Sequence, residues 1–136
     1  MNRIEILIDK IINNDIKYIE YDTKLITAAA IKINKNKAII VNKNKFKDSK
    51  DFYVTLSHEF LHCNHDVFYN MEDSIQTRKR REYKIDKLMV QELVPLNEFK
   101  KLLKYGLNKY EISEEMDVTE ESVDLAFKIY KNMGEL

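Results

Sequence analysis

The feature that most constrains this chain is a His-Glu-Phe-Leu-His run at residues 58–62. It lies within residues 50–65, where apolar side chains are mixed with polar ones and neither glycine nor proline occurs. A stretch of this kind and length favours a helix over a strand. Four residues advance a helix by slightly more than one turn, so His58 and His62 should project from the same face. The fold must therefore place a helix here, with two imidazoles close together on one side.

Two imidazoles at this spacing can bind one metal ion, and the His-Glu-x-x-His pattern on a helix is typical of zinc sites. Glu59 lies next to them on the helical wheel. A carboxylate there can take a proton from a metal-bound water and later pass it to a departing amine. Tyr69 and Tyr83 are nearby candidates for stabilising an oxyanion. The alternative is a chance pattern on a solvated helix face, which is the weaker interpretation because the chain has only three histidines.

A catalytic zinc site usually has three protein ligands and one water, so a third donor must come from elsewhere. We favour Glu82, four residues before Asp86, because this spacing puts both carboxylates on one face of the next predicted helix. Glu82 would bind the metal while Asp86 accepts a hydrogen bond from a ligand histidine. The alternative donor is His65, which lies about 60° of helix rotation from the two-histidine face. The alternative role for the acidic pair is a surface ladder with Lys79 or Arg81.

The remaining pattern predicts an α+β fold with a small antiparallel sheet. Apolar residues recur at three- and four-residue intervals near the start of the chain, which is typical of an amphipathic helix that covers a sheet. Two β-rich runs follow, separated by the turn-prone Asn-Lys-Asn of a hairpin. The predicted elements are a helix at residues 2–14, strands at Ala28–Ile33 and Lys37–Asn42, a polar loop at Asn70–Thr77 and a helix from Arg78 to Val94 that ends before Pro95.

The tail is predicted to be wholly helical, with short helices at residues 97–105, 108–116 and 119–132. Thr119 is a plausible N-cap for the last of them. The last two helices look like a helix-turn-helix. Acidic residues at 120, 121 and 124 would repel DNA phosphates, so we expect a packing or partner-binding role and no direct binding of nucleic acid.

Composition excludes several other functions. Basic and acidic residues balance at 23 each, so no overall positive field would attract nucleic acid. The basic run at residues 78–81 is interpreted as a solvated helix face. No segment approaches the roughly 20 apolar residues of a membrane span, and nothing at Met1–Asn14 marks export. A single cysteine, Cys63, fits a reducing compartment and a buried thiol. We therefore expect a cytoplasmic protein with no membrane partner.

The sequence also resembles a known family. The motif at residues 58–62, the Glu82-x-x-x-Asp86 pattern and a hydrophobic stretch ending at Pro95 are similar to the ImmA/IrrE metallopeptidases of bacteria, phages and mobile elements. The resemblance covers roughly residues 15 to 100. Lys84, Ile85 and Leu88 stand where family members often have an acidic residue, a small residue and Phe or Trp. These departures leave the candidate ligands intact.

The resemblance implies a zincin-like metallopeptidase domain over residues 1–95, in which the small sheet packs on the motif helix and a second metal-ligand helix. A small helical extension, helix-turn-helix-like, would cover residues 96–136. The cofactor would be Zn²⁺ and the substrate a helix-turn-helix repressor of a phage or mobile element. The residues alone predict only a polypeptide substrate, which could pair with an edge strand of the hairpin. The competing function is a non-catalytic, zinc-containing anti-repressor or toxin-antitoxin-type binding module, in which Glu59 would have no role as a base.

Overall fold

The computed structural model of the protein describes residues 1–22 and 24–136. These residues form six α-helices and one three-stranded sheet, which confirms the α+β class. None of the helices in the described ranges is both long enough and apolar enough to cross a bilayer. In chain order the elements are α1 (Arg3–Asn13), β1 (Ile16–Glu20), β2 (Ala28–Ile33), β3 (Asn36–Val41), α2 (Ser49–Asn64), α3 (Ile75–Leu93), α4 (Leu96–Lys104), α5 (Lys109–Met116) and α6 (Glu120–Asn132).

The sheet has the strand order β1-β3-β2. The predicted hairpin is confirmed, because β2 and β3 pair antiparallel around a turn in which Asn34 has a positive φ of 58°. β1 was not predicted, and it pairs parallel to β3 with Ile16 opposite Lys37. The sheet is therefore mixed rather than antiparallel throughout. β1 and β3 are separated in sequence by the whole of β2. No short turn between them could therefore indicate from the sequence that they pair.

Residues Met1–Arg81 form one compact unit. Helices α1 and α2 pack on the sheet, as expected for α1 and for the motif helix. Burial of their apolar faces fixes α2 in place, since each fully buried aliphatic or aromatic side chain contributes about 1.5–3 kcal/mol. The packing of the second metal-ligand helix on the sheet stays a prediction. The core of this unit contains Leu7, Ile11, Ile16, Ile39, Val41, Phe52, Leu56, Phe60 and Cys63.

Residues Glu82–Leu136 form a second compact unit, and the division falls inside α3. Its regular secondary structure consists of helices alone. Its core includes Phe99 and Tyr130, whose ring centroids lie 5.9 Å apart, and the Tyr130 hydroxyl donates to the Val94 carbonyl oxygen at 2.7 Å. Thr119 caps α6 as predicted, accepting from the Ser122 N–H at 3.1 Å. The predicted domain boundary after residue 95 stays a prediction.

Candidate metal centre

Helix α2 brings His58 and His62 together. It begins where the Asp48 side chain accepts a hydrogen bond from the Asp51 N–H at 2.8 Å. The Nε2 atoms of the two histidines lie 3.2 Å apart, and their ring centroids are separated by 4.9 Å. Two nitrogens that each lie 2.0–2.1 Å from a tetrahedral zinc ion would be about 3.3 Å apart. The two imidazoles thus stand at the separation that a shared zinc ion requires.

Glu82, on α3, adds a carboxylate to this pair. Ligand atoms of His58, His62 and Glu82 all lie within 4.8 Å of one another, so the three residues could hold a metal ion. His62 is buried, whereas His58 and Glu82 are half-buried. The group does not include His65, an exposed residue at the C-cap of α2. Two imidazoles and one carboxylate are a donor set that suits zinc.

The end of α2 orients the ring of His62. Asp66 has a left-handed φ of 54°, and its N–H donates to the Cys63 carbonyl at 3.3 Å. The Val67 N–H donates to the His62 carbonyl at 2.9 Å, which completes a Schellman motif. This reversal brings the Val67 carbonyl oxygen to 2.7 Å from His62 Nδ1. A carbonyl can only accept, so Nδ1 carries the proton and Nε2, on the side of His58, keeps the lone pair that a metal ligand needs.

The orienting partner of His62 is therefore a backbone carbonyl, whereas the sequence suggested a carboxylate for this task. Asp86 lies one helical turn after Glu82 on α3 and is half-buried. Its predicted hydrogen bond to a ligand histidine stays a proposal, and it concerns His58, because Nδ1 of His62 is already engaged.

The hairpin anchors the same end of α2. Lys32 and Lys37 lie opposite each other in the antiparallel pair, where like charges repel. The Asp66 carboxylate lies 2.7 Å from Lys32 Nζ and 3.6 Å from Lys37 Nζ, and it relieves this repulsion. The hydrogen bond from Lys32 lowers the pKa of Asp66 below its usual value. Lys37 also donates to the Cys63 carbonyl at 2.9 Å, so this carbonyl at the helix end accepts from both the lysine and the Asp66 N–H.

The loop from residue 67 to 74 is held by α3. Arg81 Nη1 donates to the Phe68 carbonyl at 2.8 Å and to the Asp73 carboxylate. Between these contacts, the Tyr69 ring lies edge-on to His62 with centroids 5.7 Å apart. The solvated face predicted for the basic run at residues 78–81 fits the exposure of residues 78–80 but not the half-buried Arg81.

Three further candidates lie in this region. Glu59 is half-buried on α2, directly after His58. The side chain of Cys63 is buried and free of any disulfide, as expected. Burial raises the pKa of its thiol to about 11, while the nearby Lys37 acts in the opposite direction. The thiol is therefore protonated at neutral pH and a poor nucleophile or ligand. The two candidate tyrosines are both about two-fifths exposed, and Tyr69 has a ring contact with His62.

Comparison with known proteins extends these observations. The family model described as IrrE N-terminal-like domain, Peptidase_M78, matches residues 4–128. The match includes α2 and α3 and most of the helical tail, so it is longer than the region in which the sequence motifs showed a resemblance. No curated protein and no solved structure matches the chain.

Proposed function

We propose, from the premise that this chain belongs to the IrrE N-terminal-like family of metallopeptidases, that it hydrolyses a peptide bond at a zinc ion held by His58, His62 and Glu82. The observation that carries the proposal is the convergence of these three side chains, with the Nε2 lone pair of His62 directed by the Val67 carbonyl. Membership of a peptidase family implies a protein substrate. The choice of zinc is supported by the two-imidazole, one-carboxylate donor set.

The proposed chemistry assigns separate tasks to the residues around the ligands. A bound zinc ion would act as a Lewis acid and lower the pKa of water toward neutrality. Glu59, beside His58 on α2, would take the proton from the attacking water and deliver it to the departing amine. The Tyr69 hydroxyl is the candidate donor for the oxyanion, because its ring lies against His62. Val67 would keep the ring of His62 in place throughout the reaction.

An extended substrate has a candidate docking edge on β2. The sheet order places β2 at one edge, and within the described residues only β3 pairs with it. β2 also packs against α2, the helix that carries the two histidines. A peptide added along this edge would form main-chain hydrogen bonds beside the ligands. This placement supports cleavage of unfolded or loop segments in preference to packed helices.

The finer identity of the substrate is also a proposal. The resemblance to ImmA/IrrE proteins supports a helix-turn-helix repressor of a phage or mobile element as the target. The free, buried thiol of Cys63 is consistent with a site of action in the reducing cytoplasm. Incubation of the zinc-loaded protein with the repressor encoded by a neighbouring gene tests this step. Two fragments of that repressor are expected, and an intact repressor would exclude it as a substrate.

Replacement of Glu59 by Gln tests the proposed reaction. Glu59→Gln keeps the size of the side chain and removes the base, so cleavage should fall by about 10²- to 10⁴-fold. Zinc content and the urea unfolding midpoint should stay at their wild-type values. Cleavage is measured with a proteome-derived peptide library, by mass spectrometry of the new N termini. Glu92→Gln, at an exposed position of α3, is the matched control and should cleave like wild type.

Two other outcomes would change the assignment. Cleavage by Glu59→Gln at the wild-type rate would remove Glu59 as the base. Wild-type protein that binds zinc and a repressor in a stable complex, without cleaving either the repressor or the library, would instead support the anti-repressor or toxin-antitoxin-type binding module.

A further inference from the structure

Two groups of the loop between α2 and α3 contact the ring of His62. The Val67 carbonyl oxygen lies 2.7 Å from Nδ1, and the Tyr69 ring lies edge-on with its centroid 5.7 Å away. Val67 is buried, but Tyr69 is about two-fifths exposed, so packing alone fixes the first group better than the second. The course of the loop therefore affects both the tautomer of His62 and the position of the tyrosine.

Arg81 binds this loop on both sides of Tyr69. Its Nη1 donates to the Phe68 carbonyl at 2.8 Å, one residue before the tyrosine. It also pairs with the Asp73 carboxylate, which accepts from the Asn70 N–H at 2.8 Å, one residue after the tyrosine. One guanidinium thus fixes the peptide groups that flank Tyr69, directly at Phe68 and through Asp73 at Asn70.

The burial of this ion pair distinguishes it from a surface salt bridge. The Asp73 side chain is 13% exposed and that of Arg81 is 34% exposed. Exposed pairs contribute little, whereas charge-assisted hydrogen bonds shielded from water are stronger and hold a fixed geometry. Residues 78–80 of the same helix are exposed. The exposed Arg78 also donates to the loop, at the Asn70 carbonyl and a distance of 3.2 Å. Arg81 is the half-buried member of this run, and it contacts both a backbone carbonyl and a carboxylate of the loop.

We propose that Arg81 is a positioning residue for the metal centre. Through the Phe68 carbonyl and Asp73, it holds the loop so that the Val67 carbonyl keeps the proton on His62 Nδ1 and Tyr69 stays against the ring. This inference rests on the proposed function, because it treats His62 as a metal ligand. Hydrogen-bond partners of ligand histidines typically change metal affinity by about 10- to 100-fold when they are lost, and Arg81 acts one step further out.

The test compares variants that weaken the contacts of Arg81 with the loop to a variant that leaves these contacts intact. Arg81→Met keeps most of the aliphatic stem but removes every donor, and Asp73→Asn keeps the shape but removes the charge. Arg80→Met, at an exposed neighbouring position, is the matched control. Two quantities are measured: the zinc Kd, by competition with a chelating dye, and the His62 tautomer in metal-free protein, from the ¹⁵N chemical shifts of the ring.

We expect wild type and Arg80→Met to hold the Nδ1–H tautomer and to bind zinc equally well. In Arg81→Met the metal-free ring should populate both tautomers, and the zinc Kd should rise by about 10-fold. Asp73→Asn should show a smaller change in the same direction. Arg81→Lys should recover part of the loss, since an ammonium restores the charge without the planar fork of the guanidinium.

Several outcomes would overturn the inference or separate it from the proposed function. If folded Arg81→Met keeps the wild-type tautomer and zinc Kd, Arg81 is a structural residue only, and the proposed function is unaffected. If Arg81→Met does not fold, Asp73→Asn and Arg81→Lys decide by the same two measurements, and wild-type values in both would overturn the inference. If wild type fails to bind zinc, the proposed function fails, while the metal-free tautomers still show whether Arg81 orients the ring.

Discussion

Helices α2 and α5 end in the same local way. In each case an aspartate with φ of 54° is followed by a buried valine: Asp66 and Val67 after α2, Asp117 and Val118 after α5. The valine N–H closes both ends on the carbonyl five residues earlier, at 2.9 Å in α2 and 3.0 Å in α5. Both are Schellman motifs with aspartate in the position that glycine usually takes. In both places this backbone conformation ends the helix and reverses the direction of the chain.

The two ends differ in what surrounds them. After α5, Thr119 follows the valine directly and caps α6, so that end is one half of a helix-helix turn made by neighbours in sequence. After α2, the Val67 carbonyl accepts from a ring nitrogen of the helix it has just left, and Asp66 pairs with two lysines of the hairpin. A local signal therefore ends each helix, whereas residues far away in sequence decide whether that end forms a turn or part of a site.

The largest expected effect concerns metal binding. If His62 is a ligand held by Val67, zinc should slow hydrogen exchange of the Val67 amide by up to about 100-fold at a zinc concentration 100 times the Kd. The amide of Val118 should show no comparable change. Exchange is followed by NMR or mass spectrometry with and without zinc.

Glu82→Ala is the control for this experiment. It removes one proposed ligand and leaves the end of α2 intact, so zinc at the same concentration should no longer protect Val67. Equal protection of Val67 and Val118 by zinc would contradict the distinction between the two helix ends. Full protection in Glu82→Ala would instead show that Glu82 is not a ligand.

A smaller effect is expected from the left-handed backbone itself. A β-branched residue is strained at positive φ, so Asp117→Val should lower the free energy of unfolding by about 1–2 kcal/mol. Asp117→Gly should be as stable as wild type or slightly more so. Asp66→Val should also be destabilised, but it should weaken zinc binding as well, since the Val67 carbonyl would shift.

Urea denaturation and chelator competition measure the two effects separately. A fall in zinc affinity of similar size in Asp117→Val and Asp66→Val would mean that the end of α2 has no special link to the metal centre. The glycine variants control for the loss of the aspartate side chain at each position.

Local patterns predicted most of the fold. Thr119 was found as a cap from its position before a periodic segment, and the hairpin from its turn residues. α3 begins at Ile75 rather than at the predicted Arg78, because the Ser74 hydroxyl accepts from the Thr77 N–H at 3.1 Å. The Ser74 cap is also a local signal, but the prediction placed it within the polar loop Asn70–Thr77. β1 could not be found in this way, because its partner β3 lies beyond a further strand.

The candidate site likewise has some residues that the sequence indicates and others that only the fold reveals. The His-Glu-x-x-His run and the Glu82-x-x-x-Asp86 spacing are visible in the sequence because side-chain identity carries the chemistry. The partner of His62 is a main-chain oxygen of Val67, and every residue has such an oxygen, so composition gives no sign of it. Arg81 is equally hidden, since four consecutive basic residues differ only in the contacts that the fold provides.

The smallest effect should come from the charge of Asp66. Its carboxylate is bonded by Lys32 and lies near Lys37, which lowers its pKa, although more than half of the side chain is exposed. A carboxyl group with a lowered folded-state pKa stabilises the folded protein above its unfolded value of about 3.9, and this contribution is lost as the pH falls through the folded value. Asp66→Asn keeps a residue that tolerates positive φ but removes this charge.

The urea midpoint of Asp66→Asn should therefore lie slightly below that of wild type, by a constant amount between about pH 5 and pH 7. The difference should shrink as the pH is lowered below the usual aspartate value and should also shrink in 1 M salt, because the pair is exposed and is screened there. Lys32→Met should give a deficit with the same dependence on pH. A deficit that stays constant down to pH 3 would show that asparagine disturbs the backbone at residue 66 and that the lysine pair contributes nothing. The link between the end of α2 and the metal centre would then depend on the bond between the Val67 carbonyl and His62, and not on the charge of Asp66.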